Sequence, residues 1–130
     1  MTLVDSSVLV DYFNGVQAGH TEKLHGLLGK EYVALGDLIL TEVLQGFDSE
    51  KDFKTAKRVL LSFPCYAIGG RAIALKSAEN FRFLRSKGVT VRKTVDMLIG
   101  TFCLENGFRL LHNDKDFHAM SQHLGLKVAS

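Results

Sequence analysis

Short apolar runs that alternate with helical segments restrict the fold of this chain more than any other feature of its sequence. Four runs are short enough to be buried strands, at residues 2–5, 32–35, 65–68 and 108–112. The strands of a parallel sheet are covered by helices on both faces, so they appear as continuous apolar runs. The pattern therefore predicts an α/β fold, a three-layer α/β/α arrangement around a mainly parallel central sheet.

The helices between these strands are bounded by capping residues and glycines. We expect Thr21, Asp37 and Thr94 to cap helix N-termini, because short polar side chains accept hydrogen bonds from free backbone amides there. Glycine follows several helix ends, as is common at C-termini. A last edge strand is expected at residues 126–129. The predicted helices cover residues 7–14, 21–28, 37–45, 49–61, 71–87, 94–106 and 117–124.

The composition, with 46% hydrophobic and 23% charged residues, is that of a globular protein. The length predicts a single domain over residues 1–130 with a substantial core. No apolar run approaches the roughly 20 residues that a membrane span needs. No basic segment precedes the first apolar run, so we expect a cytoplasmic protein without a signal peptide. Cys65 and Cys103 belong to no Cys-x-x-Cys pair and are interpreted as buried thiols.

Basic residues are concentrated in one part of the chain, although the formal net charge is only +2. Between Arg71 and Lys93 a single acidic residue, Glu79, accompanies seven basic ones. Such a stretch either attracts a polyanion or is simply a solvated helix face. The seven basic residues are Arg71, Lys76, Arg82, Arg85, Lys87, Arg92 and Lys93.

Four acidic residues occupy unusual positions in this pattern. Asp5 and Asp114 each follow a predicted strand at its carboxyl end, and in a parallel sheet these ends lie at one edge. Asp96 lies in the first turn of a predicted helix, where an acid also interacts favourably with the helix dipole. Glu42 lies in the almost wholly apolar segment 38–44, where an isolated carboxylate is costly unless paired, protonated or bound to metal.

Convergence of these four acids would create strong repulsion and raise the pKa of at least one of them. A hard divalent cation such as Mg²⁺ or Mn²⁺ removes the conflict, because it prefers oxygen ligands and retains bound water. Such a site activates water and stabilises charge on a phosphodiester. Taken singly, each acid has an equally acceptable structural role.

Four segments carry a resemblance to a known family. The chain resembles PIN-domain ribonucleases, and among them the VapC-type toxins of bacterial toxin–antitoxin pairs. No single segment is specific to this family, but the order and spacing of all four in so short a chain are specific to it. The segments are VDSSVLVD at 4–11, LTEVLQG at 40–46, VRKTVDMLI at 91–99 and LLHNDKDF at 110–117.

The resemblance implies a set of site residues. Asp5, Glu42, Asp96 and Asp114 match the acidic quartet that binds Mg²⁺ or Mn²⁺ in the family. Asp116 matches a frequent accessory acid, and Ser7 matches the small hydroxyl that supports the first aspartate. His112 stands where the family usually has Thr or Ser, so its role is left open between bonding the cluster, reaching a phosphate and packing.

The resemblance also implies an activity and partners. It implies cleavage of a structured RNA, often transfer or ribosomal RNA at an exposed loop, where bases can be splayed and read. A small VapB-like antitoxin that blocks the site is implied, as is a homodimer. Arg92 and Lys93, just before Asp96, are the best candidates for RNA contacts.

Other interpretations compete with this one. A PIN-like module that binds RNA or protein without catalysis would keep the fold and lose metal binding. A phosphotransferase of the haloacid dehalogenase type needs an aspartate where this chain has Ser7. Asp11 is either at the rim of the site or a solvated or paired residue. The histidines outside position 112 form no His-Glu-x-x-His motif and are assigned solvent or capping roles; they are His20, His25, His118 and His123.

Overall fold

The computed structural model describes residues 1–30 and 32–129, and in this part of the chain four parallel strands form the sheet. The strands are β1 (Thr2–Val4), β2 (Val33–Gly36), β3 (Cys65–Tyr66) and β4 (Arg109–Leu111). Their order is β3-β2-β1-β4, and each neighbouring pair is parallel. The predicted α/β fold with a parallel central sheet is therefore confirmed.

Seven helices connect these strands within the described residues, close to the predicted ranges. The first four helices pack among themselves, as do the last three, which is the arrangement expected of helices on two faces of a sheet. The helices are α1 (Ser6–Phe13), α2 (Gly19–Leu27), α3 (Asp37–Gln45), α4 (Glu50–Leu60), α5 (Arg71–Ser86), α6 (Thr94–Asn106) and α7 (Asp116–Leu124).

The strand order places a topological switch point beside β1. From β1 the chain moves outward to β2 and β3, and it then returns to the other side of β1 as β4. The amide of Asp5 donates to the carbonyl of Leu111 at 2.9 Å, so the ladder continues to the carboxyl ends of both strands. Open α/β sheets bind their ligands at such a point.

The core is formed by the strands and by the apolar faces of the helices against them. All residues of β1 and β2 are buried, as expected for central parallel strands. Leu3, Leu110, Ile99 and Phe117 have no exposed surface. Gly107 directly follows the last residue of α6 and has a left-handed φ of 69°. The turn at this glycine directs the chain into β4.

The predicted capping residues are wrong in detail. Helix α2 begins after Ala18, and Thr21 lies in its first turn, where its Oγ1 accepts from the Ala18 amide at 3.0 Å. Asp37 is the first residue of α3, and its Oδ1 accepts from the Leu38 amide and, at 3.0 Å, from the distant amide of Ile68. Thr94 is the first residue of α6 rather than its cap.

Two further expectations at the sheet edges are corrected. Cys65 lies on the edge strand β3 and is exposed, whereas Cys103 is buried as expected. The last edge strand is reduced to an isolated parallel bridge between Leu110 and Val128. Within the described residues, no helix is both long and apolar enough to span a membrane.

Candidate active site

A cleft of about 340 Å³ opens at the carboxyl ends of β1 and β4. It is polar, and it contains all four acids that the sequence singled out. Residues from the turn after β1, from α3, from the start of α6 and from the loop after β4 meet in it. The lining residues are Asp5, Ser6, Ser7, Val10, Asp11, Glu42, Lys93, Asp96, Asn113 and Asp114.

Asp5 lies at the base of this cleft, where the buried strand β1 passes directly into α1. It is the N-cap of α1, and its Oδ2 accepts from the amide and the hydroxyl of Ser7 at 3.1 and 2.6 Å. Its Oδ1 is buried and has no hydrogen-bond partner among the described residues. Burial raises the pKa of Asp5, and the hydrogen bonds from Ser7 oppose this rise.

Ser7 connects the two strand ends that carry aspartates. Its hydroxyl donates to Asp5, and its Oγ accepts from the backbone amide of Asn113 at 3.0 Å. The second bond joins residues 106 positions apart in the sequence. The structure thus places Ser7 next to Asp5, where a supporting hydroxyl was expected.

Asp96, Asp114 and Asp116 form the most compact acidic group. One carboxylate oxygen of each lies within 4.8 Å of the others. Asp96 is only 4% exposed, and its Oδ2 has no partner among the residues described. Burial raises the pKa of Asp96 to about 7, and the charges of Asp5 and Asp114 contribute to the rise. The amide of Asp116 donates to Asp114 Oδ1 at 3.0 Å.

Glu42 reaches the same cleft from α3. The hydroxyl of Ser6 donates to its Oε1 at 3.3 Å, and the side chain is half-buried. Burial raises the pKa of Glu42, and the charge of Asp5 adds to this effect. Glu42 and Asp5 thus line the cleft without belonging to the compact group of three. Ser6 was not singled out from the sequence, because its position before Ser7 carries no separate signal.

His112 lies just behind the aspartates rather than in the cleft. Its Nδ1 accepts from the amide of Asp114 at 3.2 Å, and its ring packs 4.9 Å from that of Phe117. Burial lowers the pKa of His112, and the neighbouring His118 lowers it further. The structure therefore shows His112 orienting the backbone that carries Asp114, and packing on α7.

The two basic residues proposed for RNA contacts lie in different places. Lys93 lines the cleft, and its charge opposes the rise in the pKa of both Asp96 and Glu42. Arg92 instead lines a separate, mostly apolar groove between α5 and α6, beside Phe81 and Met97. Only Lys93 is brought to the acidic cluster.

Asp11 lies at the rim of the cleft and is paired, which combines the two alternatives for this residue. Its Oδ2 is 2.7 Å from Nε2 of His20, which joins α1 to α2. The side chain of His20 is 15% exposed, so the expectation of a solvated or capping histidine is wrong for this residue. The sequence offered no signal for this pair across the turn between two helices.

The cluster fits a hard divalent cation. Its donors are carboxylate oxygens, the ligand type that Mg²⁺ and Mn²⁺ prefer. Asp5 and Asp96 each have a buried oxygen without a partner among the described residues, and such atoms are costly unless a ligand satisfies them. The pKa of Asp96 is raised mainly by burial, and the repulsion from Asp5 and Asp114 adds to the rise. The residues best placed to hold an ion are Asp96, Asp114 and Asp116, with Asp5 and Glu42 also lining the cleft.

Comparison with known proteins identifies the class. The family model of the PIN domain matches residues 2–122, so the chain belongs to the PIN domain family. The expected resemblance to VapC-type PIN proteins is also confirmed. The chain is 28% identical over 132 aligned residues to ribonuclease VapC11 of Mycobacterium tuberculosis and to VapC ribonuclease Mb1587 of Mycobacterium bovis. Each alignment covers 100% of this chain and 98% of the relative.

Solved structures show the same fold at lower sequence identity. VapBC2 from Rickettsia felis, crystallised with a DNA fragment from its promoter, matches with a TM-score of 0.76 at 16% identity, over 98% of this chain and 96% of that one. VapC20 of Mycobacterium tuberculosis, a sarcin–ricin-loop-cleaving toxin, matches with a TM-score of 0.68 at 15% identity, over 92% and 94%. These matches support the fold and not a particular substrate.

Proposed function

We propose that this protein is a Mg²⁺- or Mn²⁺-dependent endoribonuclease and the toxin of a toxin–antitoxin pair. The observation that carries the proposal is the convergence of Asp96, Asp114 and Asp116 with the unpartnered Oδ1 of Asp5. The site lies at the switch point of the sheet, where α/β proteins bind ligands. Relatives that are named VapC ribonucleases, and that align with this chain over 98% of their length, support the same activity.

The acids of the cleft and the side chains that position them have proposed tasks. Asp5, Asp96 and Asp114, with Glu42 and Asp116, would hold the metal. When bound, Mg²⁺ or Mn²⁺ would supply a water of lowered pKa and charge stabilisation for in-line displacement at phosphorus. Ser7 fixes Asp5 through its hydroxyl, and His112 orients the backbone of Asp114.

Lys93 is proposed to contact the phosphate backbone of the substrate. Lys93 lines the cleft, and phosphate neutralisation by lysine and arginine provides most of the sequence-independent affinity for nucleic acids. Arg92 lies farther from the acids and is proposed for flanking contacts only. The substrate class that we propose is a loop of a structured RNA, such as transfer or ribosomal RNA, because unpaired nucleotides can enter an open cleft. The sarcin–ricin-loop activity in the name of one structural neighbour agrees with this class.

The proposed partner is a VapB-like antitoxin, since one structural neighbour is a VapBC assembly. A homodimer is proposed on the family resemblance. A cytoplasmic location is proposed because the RNA substrates are there.

The test is cleavage of transfer and ribosomal RNA by the purified protein with Mg²⁺ or Mn²⁺, and with chelator. We expect activity with metal, loss with chelator, and at least a hundredfold loss for Asp96→Asn, as expected for removal of a metal ligand. The control is Asp52→Asn, an exposed acid on α4, which should behave as wild type. Calorimetric titration that detects no binding at millimolar Mg²⁺ or Mn²⁺ would favour a non-catalytic binding module instead.

A further inference from the structure

A second cleft, of about 520 Å³, adjoins the loop that carries Asp114, since His112 lines it. This loop, the 112–115 loop, connects β4 to α7. Its cleft is lined by Lys23 of α2, by His112, and by His118, Ser121 and Gln122 of α7. Apart from His112, which also bonds the Asp114 amide, these side chains are not used by the acidic site, and each of them can donate a hydrogen bond.

The backbone fixes which nitrogen of His112 carries the hydrogen. The amide of Asp114 can only donate, so Nδ1 of His112, at 3.2 Å, must accept. With this bond in place, the hydrogen of the neutral ring lies on Nε2. His112 thus offers a ligand in this cleft a donor.

The other polar groups of the cleft are also free to act. Ser121 Oγ is buried and has no hydrogen-bond partner among the described residues. Lys23 forms no ion pair with any residue that the structure describes, and the ring of His118 lies 5.6 Å from that of His112. The side chains of Lys23, Gln122, His112 and His118 thus border one cavity together with Ser121, whose hydroxyl itself is buried.

This chemistry favours an anion over a metal cation. A metal bound at Nε2 of His112 would require the hydrogen on Nδ1, which would break the bond from the Asp114 amide. A phosphate oxygen, by contrast, accepts from Nε2–H and from an ammonium without changing that tautomer.

We propose that this second cleft binds a backbone phosphate of the RNA, separately from Lys93. This proposal rests on the nuclease function proposed above. Asn113 and Asp114 line the acidic cleft, whereas His112, next to them, lines the second one. An RNA strand that crosses the 112–115 loop would have its reacting phosphodiester at the acids. A neighbouring phosphate of the same strand would then lie beside Lys23 and His118.

The test measures RNA binding separately from cleavage. The affinity of the full chain for a fluorescently labelled RNA loop is measured with chelator present and in the Asp96→Asn background, where no cleavage interferes. We expect Lys23→Ala to weaken binding about three- to tenfold and to reduce the slope of log affinity against log salt by about 0.7, the value for one phosphate contact to a single strand. His118→Ala should also weaken binding, and His118→Gln, which keeps a donor, should restore part of the loss. Lys57→Ala, an exposed lysine on α4, is the matched control.

A second measurement identifies the source of the phosphate. Inorganic phosphate is titrated into the isotopically labelled protein while the side-chain signals of His118 and Gln122 are followed by NMR. We expect these signals to shift and RNA to displace the phosphate. Unchanged RNA affinity and salt slope in Lys23→Ala and His118→Ala would overturn the proposal, as would phosphate binding that RNA does not compete with. Failure of the nuclease function is read separately, as absence of RNA cleavage by the wild-type protein with metal.

Discussion

The Oγ atom of Ser7 lies 2.6 Å from Oδ2 of Asp5 and also accepts the backbone amide of Asn113. One hydroxyl therefore fixes the rotamer of Asp5 and ties it to the strand end that precedes Asp114. Because the hydrogen bond is directed at Oδ2, the unpartnered Oδ1 stays available to a ligand. Ser7 is thus a positioning residue for a cluster assembled from distant parts of the chain.

Ser7→Ala should reduce nuclease activity and metal affinity about 10- to 100-fold, the usual effect of removing a side chain that orients a metal ligand. The variant loses both bonds of Oγ, so Asp5 and the 112–115 loop become less ordered. The measurements are single-turnover cleavage rates and calorimetric Mn²⁺ titrations. Ser7→Thr keeps the hydroxyl and should retain most of the nuclease activity and most of the metal affinity. Equal losses in the two variants would contradict a role for this hydroxyl.

The stability of the metal-free protein should depend on pH through Asp96. Its pKa is raised from 3.8 to about 7 by burial and by the neighbouring acids. At pH values between these two pKa values, the carboxyl group of Asp96 is ionised in the unfolded chain and protonated in the folded protein. The free energy of unfolding therefore falls as pH rises. The raised pKa values of Asp5 and Glu42 act in the same direction.

Asp96→Asn removes this contribution. In the presence of chelator, the free energy of unfolding of Asp96→Asn minus that of wild type should increase by at least about 1 kcal/mol from about pH 5 to pH 7, since one pKa unit corresponds to about 1.4 kcal/mol. Urea unfolding at several pH values measures it. Saturating Mn²⁺ should stabilise wild type and have much less effect on the variant. A difference between the two proteins that does not change with pH would contradict the expected titration of Asp96.

The sequence was sufficient to predict the sheet and the convergence of the acids. Asp5 and Asp114 follow central parallel strands, and this topology alone brings their positions to one edge. Asp96 and Glu42 could be placed on helices, but the distances between the carboxylates depend on how α3 and α6 pack on the sheet. That Asp96, Asp114 and Asp116, rather than the expected four, form the compact group follows from this packing.

The interactions that sequence reasoning missed are side-chain contacts between elements that are distant or differently oriented. The bond from Ser6 to Glu42 spans 36 positions, and the pair of Asp11 and His20 depends on the angle between α1 and α2. Cys65, which belongs to no Cys-x-x-Cys pair, was expected to be a buried thiol, yet β3 is an edge strand and leaves it exposed. Apolar patterns predict strands, but they do not give a strand's place in the sheet.

Gly36→Ala should destabilise the fold by about 1 to 3 kcal/mol, the usual cost of overpacking. Gly36 ends β2 and is buried, and an added Cβ would overlap the Cδ1 and Cγ1 atoms of Ile68. The control is Gly46→Ala, where φ is −82° and the nearest atom to an added Cβ is a backbone oxygen at 3.5 Å. Thermal and urea unfolding compare the two variants. Similar stability of both would show that Ile68 can move aside at no cost.

Lys93→Ala and Arg92→Ala should differ, although the two residues are adjacent and both are exposed. Lys93 lines the acidic cleft, whereas Arg92 lines the apolar groove between α5 and α6. Removing Lys93 should weaken RNA binding about three- to tenfold and lower the salt slope by about 0.7, as for one lost phosphate contact. The effect of removing Arg92 should be smaller.

Metal affinity separates a phosphate contact of Lys93 from a general disturbance of the site. The charge of Lys93 stabilises the ionised forms of Asp96 and Glu42, and it also repels a cation. Removing Lys93 relieves the repulsion and also makes these acids harder to ionise, so Lys93→Ala should bind Mn²⁺ about as tightly as wild type while binding RNA more weakly. The measurements are calorimetric Mn²⁺ titration and fluorescence anisotropy with labelled RNA. A parallel loss of both affinities would show that Lys93 holds the acidic cluster together and does not contact the substrate.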